Sequence, residues 1–269
     1  MELSLKTKPV HVFRQSWLNT YFTCPEQARL IRADTYPPDQ TDAAAAGTAT
    51  HAAIEAVLVR CREPEDAVAL GLDTFRNLAS SPDFRWVKVK REKTAFDHIE
   101  GGFYSWYDNV YPTLKATIWV EEGFKFLFHE DDKREVWLSG TADYADSSGI
   151  MDWKLSANKD KFGKEGWKLR RWSVQATIYA AAAYEAGLYP RDAEVPFTFV
   201  NLDFMGRRPQ RLPADRTMQH VSFLKEQLVS IAQFIEADLP NWPLRDQHAL
   251  CSSDWCMKWY QCKGKHFQT

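Results

Sequence analysis

Between Ser16 and Arg32 apolar side chains return every three or four positions, the repeat of an amphipathic helix, and Tyr36-Pro37-Pro38-Asp39 is a turn that ends it. Asp42 is a candidate cap for an Ala-rich helix running to about Arg60, and Pro64 opens another reaching about Ala79. From Phe96 to Val110 the residues Phe103, Trp106 and Tyr107, with Tyr111 just beyond, suit a buried helical face; Gly101-Gly102 within it requires tertiary support. The first third of the chain therefore reads as helical. The period changes to two after Thr117. Thr117 to Phe128, Glu135 to Tyr144 and Gly149 to Lys154 are rich in β-branched and aromatic residues, and Glu130-Asp131-Asp132 and Asp146-Ser147-Ser148-Gly149 are turn signals between them, which predicts three consecutive antiparallel strands. Trp167 to Ala186 returns to a helix stopped by Gly187, Ala193 to Asp203 is a further strand, and Thr217 to Leu239 is a long amphipathic helix. From Pro240 onward the chain is rich in Trp and Cys and has no clear period. No internal repeat or low-complexity linker intervenes, so the expectation is one domain with a mainly helical part over 1–112, an α/β core over 113–239 and a Cys-rich tail over 240–269.

Composition narrows the class. The 269 residues, 45% hydrophobic and 26% charged with 12 Gly and 13 Pro, describe an ordinary folded chain and exclude a disordered or collagen-like one. Met1 to Val10 is followed by no apolar run of roughly 7–15 residues, so a secretory signal is not expected and the cytoplasm is. The weakly polar stretch Ala176 to Leu188 is interrupted by Tyr184 and Glu185 and falls short of the about 20 apolar residues a membrane span needs. Lys plus Arg number 34 and Asp plus Glu 36, and a net charge of −2 does not by itself announce a nucleic-acid partner. Five cysteines are too few, and odd in number, for a secreted disulfide framework.

The most informative segment runs from Gly140 to Lys154. If its strands pair across Ser147-Ser148-Gly149, Asp143 and Asp152 face the same side, and two carboxylates in a cleft repel each other unless a divalent cation takes them as ligands. Asp152 and Lys154 differ by two, which on a strand puts an ammonium on the carboxylate's face. The plain alternative is a pair of strand-end carboxylates with a surface lysine, worth under about 1 kcal/mol. Ile150, Met151 and Trp153 surround Asp152 with apolar groups and favour a buried, paired acid.

Gly140-x-x-Asp143, the hydrophobic approach to Asp152-Trp153-Lys154, and Gln175-x-x-x-Tyr179 on the next helix resemble the RecB-like branch of the PD-(D/E)XK nucleases. Upstream, Ser16 to Cys24-Pro25 and then Gly47-Thr-Ala-Thr-His51 resemble the first motif of that branch, and the matches occur in the family's order along nearly the whole chain. The resemblance implies a mixed central sheet flanked by helices. It also implies that His51, Asp143, Asp152 and the carbonyl of Trp153 hold Mg²⁺ or Mn²⁺, that Lys154 orients or deprotonates the attacking water, and that Gln175 and Tyr179 position DNA and the lysine. Read without it, His51 is a core histidine and Gln175 with Tyr179 an ordinary i, i+4 pair. Glu55, one turn after His51, is either an outer contact of the site or a solvated acid.

Cys251, Cys256 and Cys262 gather three thiols in a short tail, which in a reducing compartment suggests a metal with a fourth ligand from elsewhere. The AddB and CRISPR-adaptation members of the branch carry one N-terminal and three C-terminal cysteines around a 4Fe–4S cluster, and the resemblance implies that role for Cys24 with Cys251, Cys256 and Cys262. The spacing from Cys251 to Cys256 is wider than in that group, which keeps Zn²⁺ as the alternative. Cys61 fits neither pattern and is expected to be a buried small hydrophobe.

Charge read by position changes the picture drawn from its total. Lys154 to Arg171 holds seven basic residues, among them Lys159, Lys161, Lys168, Arg170 and Arg171, against Asp160 and Glu165, a local +5. Trp153, Phe162, Trp167 and Trp172 interleave with them, as a groove for phosphates and unpaired bases requires; a solvated loop is the alternative. Arg207, Arg208 and Arg211 are either a second phosphate-contacting wall or a solvated loop. The expected function is a metal-dependent DNA exonuclease acting on single-stranded ends, with recombination, repair, phage DNA metabolism or CRISPR adaptation as settings and their proteins as partners. The rival readings are a DNA-end-binding subunit with vestigial activity and a zinc-stabilised interaction protein.

Overall fold

Strand β1 (Val10–Arg14) opens the fold, followed by helices α1 (Gln15–Thr23), α2 (Pro25–Ala33), α3 (Asp42–Arg60), α4 (Pro64–Ala79) and α5 (Glu92–Asn109). Then come β2 (Thr117–Glu130), β3 (Glu135–Asp146), β4 (Gly149–Leu155), α6 (Val174–Glu185), β5 (Phe197–Leu202), β6 (Gln210–Pro213) and α7 (Met218–Glu236). The computed structural model describes residues 8–33, 40–155, 173–239, 242–244, 251, 256 and 258–262. As alternation predicts, β2, β3 and β4 are consecutive and antiparallel. The order is β1-β3-β4-β5-β6 with β2 on the other edge of β3, and the parallel pairs β1–β3 and β4–β5 make the sheet mixed.

One face of the sheet packs on α1, α6 and α7, through Leu138, Ile150, Phe197 and Phe199; the other packs on α3, α4 and α5, through Tyr144, Met151, Trp153 and Val200. Helix α6 is buried nearly all round, and its alanines let the backbone lie close to the sheet. It ends where expected: Gly187 takes φ 71°, and the N–H groups of Gly187 and Leu188 donate to the carbonyls of Tyr184 and Ala183. The glycines of α5 have their tertiary reason. A Cβ on Gly101 would stand 1.7 Å from the carbonyl oxygen of Phe204, and one on Gly102 would stand 2.5 Å from Leu155 Cδ1.

The N-terminal third departs from its helical reading in several places. Residues Val10–Arg14 are a strand with His11 and Phe13 inward; a five-residue element whose inner face includes a histidine has little apolar alternation to betray it. His11 Nε2 lies 2.8 Å from Glu236 Oε1, and Arg134 pairs with the same carboxylate at 3.0 Å, tying β1 to α7. The helix expected over Ser16 to Arg32 breaks at Cys24, whose φ of −154° is extended backbone before Pro25. Cys61 is exposed, not buried: it caps α3 in the left-handed region at φ 48°. The strand expected from Ala193 begins at Phe197, preceded by an isolated bridge from Val195 to Arg216, and Gln210–Pro213 adds an edge strand.

Asp42 is the first residue of α3 and not its cap, a role taken by Thr41. Its fully buried carboxylate instead accepts hydrogen bonds from the backbone N–H groups of Val87, Lys88, Val89 and Lys90. Burial opposes ionisation, but these backbone donors win and hold the acid below its ordinary value of 3.8. Because the folded value is depressed, the stability it contributes is full above the ordinary carboxylate range and is lost as pH falls through the folded value. We expect Asp42→Asn to cost roughly 2–4 kcal/mol at neutral pH. In urea titrations its deficit against wild type should shrink as the pH is lowered below 3.8; a pH-independent deficit would contradict an ionised Asp42.

Candidate active site

The site forms where β3 and β4 part. Their ladder runs Asp146↔Gly149, Ala145↔Ile150 and Tyr144↔Met151, and stops one step before Asp143 would meet Asp152. Beyond that point β4 stays paired with β5 on its far edge, while the next stretch of β3 to be paired on this side, Glu135 to Ser139, belongs to β1. The backbone of Trp153 thus turns an N–H and a carbonyl toward a strand that has left. Side chains replace it: the Trp153 N–H donates to Asp143 Oδ2 at 2.7 Å, and the Trp153 carbonyl lies 3.2 Å from His51 Nε2.

His51 comes from the middle of α3, and its Nδ1 is 3.1 Å from Glu121 Oε1 and 3.8 Å from Asp143 Oδ2. Ligand atoms of His51, Glu121 and Asp143 all lie within 4.8 Å of one another, close enough to hold one metal ion. Glu121 is a residue the sequence reading missed. It sits in β2 with φ 44°, a left-handed irregularity within the strand. The available signal was the acidic pair Glu121-Glu122 inside an otherwise aromatic and β-branched run.

Asp152 is fully buried; its Oδ2 lies 2.6 Å from Lys154 Nζ but receives no aligned hydrogen bond, and its Oδ1 accepts from Gln175 Nε2. The Gln175 amide also donates to the Tyr179 hydroxyl at 3.0 Å, and that hydroxyl donates to the carbonyl of Thr141 at 2.6 Å. Gln175 and Tyr179, one turn apart on α6, therefore brace both β4 and the unpaired stretch of β3. Gly140 permits the approach: Phe124 lies across it, with the ring centroid 5.9 Å from that of Tyr179.

The charges act on one another around the buried pair Asp143 and Asp152. Burial pushes the Asp152 carboxyl up; Lys154 opposes it and Asp143 adds to it, leaving the acid at about 7. Burial also raises Asp143, against the pull of His51 and Lys154. Burial works against the His51 imidazolium, but Asp143 and Glu121 outweigh it and raise the group to about 9. Lys154, likewise disfavoured by burial, is held above its ordinary value by Asp152 and Asp143. Acids gathered here strain toward protonation, the condition that a cation relieves.

The chain matches the PD-(D/E)XK nuclease superfamily over residues 13–263. It belongs to that superfamily. Membership makes it a nuclease of a group that uses divalent metals and acts on DNA. A search of curated proteins finds no match.

Other residues picked out from the sequence of this nuclease fall in several places. Lys159, Lys161, Lys168, Arg170 and Arg171 lie outside the described residues. Glu55 pairs with Arg60 at 3.9 Å on the surface of α3. Arg207 pairs with Asp203 at 3.2 Å, and Arg211 donates to Thr113 Oγ1 at 3.0 Å. Among the described residues, no helix is long and apolar enough to cross a membrane. The tail reaches the first helices: the Glu26 N–H donates to the Pro243 carbonyl at 3.2 Å, and Trp242 packs on Tyr21 and Phe234. Burial pushes the Cys256 thiol up, and the neighbouring Cys262, Cys251 and Cys24 push it further, so the four cysteines lie within electrostatic reach of one another.

The bracing role of the amide is measurable apart from catalysis. We expect Gln175→Leu, which leaves Asp152 Oδ1 and the Tyr179 hydroxyl without their shared partner, to lower stability by about 1–3 kcal/mol in urea denaturation. Unchanged stability would mean that the hydrogen bonds contribute nothing net.

Proposed function

We propose that this nuclease is a metal-dependent DNA exonuclease acting on single-stranded ends. The observation that carries the hydrolytic reading is the convergence of His51, Glu121 and Asp143 beside the buried Asp152–Lys154 pair. Carboxylate oxygens, a backbone carbonyl and one imidazole suit a hard divalent ion such as Mg²⁺ or Mn²⁺, and the burial that pushes the carboxyls of Asp143 and Asp152 up is a cost that a bound cation would offset. His51, Asp143, Asp152 and the Trp153 carbonyl would hold the ion, with Glu121 added to that set. Bound there, it supplies Lewis acidity, polarising the phosphodiester and stabilising charge on the departing oxygen. Lys154, whose ammonium stays charged beside Asp152, orients the attacking water, and its positive charge favours loss of that water's proton to solvent. Gln175, itself bonded to Tyr179, holds Asp152 through Oδ1, so that Oδ2 stays beside Lys154. The preference for single-stranded ends rests on the RecB-like resemblance, as do recombination, repair, phage DNA metabolism or CRISPR adaptation as the setting.

Digestion of single- and double-stranded DNA carrying 5′ or 3′ end labels, with Mg²⁺, Mn²⁺ or chelator, tests activity, metal dependence and polarity together. We expect metal-dependent release of mononucleotides or short products from single strands, and a loss of at least about 100-fold in Asp152→Asn. Cleavage by folded Asp152→Asn at the wild-type rate would remove the assignment.

The same reading gives Cys24, Cys251, Cys256 and Cys262 a 4Fe–4S cluster that staples the tail to the first helices. Its support is the electrostatic reach of Cys262, Cys251 and Cys24 on Cys256, since four thiolates brought together would need a metal centre to offset their charge, and it would close the loop between positions 24 and 251. Purified protein should be brown and contain iron and acid-labile sulfide, both lost in Cys256→Ser along with thermal stability. Colourless, zinc-loaded protein would overturn iron in favour of a Cys₄ zinc site.

A further inference from the structure

The segment joining α4 to α5 is a fixed ledge. Asp42 takes four consecutive N–H groups from it, the Arg85 N–H donates to the Gln40 carbonyl at 2.9 Å, and the Asp42 N–H donates to the Arg85 carbonyl at 3.0 Å. Lys90 is held in the left-handed region at φ 61°, a conformation that costs a non-glycine residue energy and persists here because its N–H is one of the four. Residues 85–93 carry five basic side chains and one acid, and Lys88, Lys90, Arg91 and Lys93 are all exposed. Among them stands Trp86, 43% exposed, backed by Phe84 at 5.1 Å and Phe75 at 6.0 Å between ring centroids. The ring is therefore braced from behind and open to solvent.

The ledge also belongs to the neighbourhood of the site. Phe84 and Val89 pack on the same small core as Leu155, the residue following Lys154. Asp42, which anchors the ledge, precedes His51 by nine residues on α3, about 13 Å along the helix axis. Exposed cations and a braced indole on a backbone fixed by Asp42 form a surface suited to a flexible polyanion with flat unpaired bases.

We propose that Trp86 to Arg91 is a second, non-catalytic contact for single-stranded DNA, in which Trp86 stacks on an unpaired base and Lys88, Lys90 and Arg91 pair with phosphates. This rests on the nuclease reading of the site. The test is fluorescence anisotropy of the full chain with labelled oligothymidine of about 20 nucleotides, longer than a usual single-strand site, in chelator and over a series of salt concentrations. Trp86→Ala is expected to weaken binding at least about fivefold. The triple variant Lys88→Ala, Lys90→Ala, Arg91→Ala, its fold checked by circular dichroism, should lower the slope of log affinity against log salt by about 2, at roughly 0.7 per lost phosphate contact. Lys225→Ala, on α7 across the sheet, should stay within about twofold of wild type. Wild-type affinity and slope in both ledge variants would overturn the proposal, and so would a wild-type protein that does not bind the oligothymidine. If wild type still degrades DNA in that case, the nuclease reading stands; if ledge variants lose binding while Asp152→Asn cleaves normally, only the site assignment fails.

Discussion

Everything at the site depends on the parting of β3 from β4 after Tyr144↔Met151. In a continuous ladder the Trp153 N–H and carbonyl would be taken by the neighbouring backbone, and Asp143 and Asp152 would stand side by side on a closed surface. Here β1 and β4 divide the same edge of β3, leaving Gly140 to Asp143 between them. Buried backbone polar groups cannot be left unpaired without a cost of about 1–3 kcal/mol each. Asp143 and His51 satisfy those of Trp153, and Tyr179 bonds the carbonyl of Thr141. The residues that repair the broken ladder are thus the ones that line the opening, and hydrogen bonding and chemistry draw on the same side chains.

Electrostatics then decides what the opening holds. Asp152 has no exposed surface, Asp143 adds negative charge beside it, and Glu121 adds more beside Asp143. Lys154 and His51 offset part of that charge and in return are kept protonated by it. Three acids against two bases in a low-dielectric pocket leave an excess that suits a hard cation, in a superfamily whose members use one. The helices matter because they fix these groups. The small side chains of α6 let Gln175 and Tyr179 reach the strands, and Gly101 and Gly102 let α5 lie against Phe204 and Leu155.

The two ends of the chain and the α4–α5 connection are held by polar contacts rather than by apolar area alone. Glu236 binds His11 and Arg134, Asp42 gathers four backbone donors, and the tail meets α1 and α2 through Trp242 and Pro243. Each is a long-range pairing between segments far apart in sequence. The Asp42 contacts fix the start of the helix that carries His51, and those of Glu236 and the tail tie α7, β1, α1 and α2 together.

The sequence by itself determined the elements with strong periodicity and the residues with adjacent partners. The three central strands, Pro64–Ala79, the Gly187 stop and the pairing of Asp152 with Lys154 were legible because period and spacing act locally. The order of Gly140, Asp143, Asp152, Lys154, Gln175 and Tyr179 was legible as a family pattern. Strand β1 was not, because it is five residues long with a histidine on its inner face; nor was Glu121, whose role depends on an irregular φ in β2 and on a helix seventy positions upstream. Cys61 was misread because burial was inferred from residue type, whereas the end of α3 required a left-handed cap at the surface. Asp42 looked like a cap because acids favour helix starts, but only the folded chain brings Val87 to Lys90 against it. Local rules reveal what a residue prefers, and tertiary structure alone decides which distant donor or acceptor satisfies it.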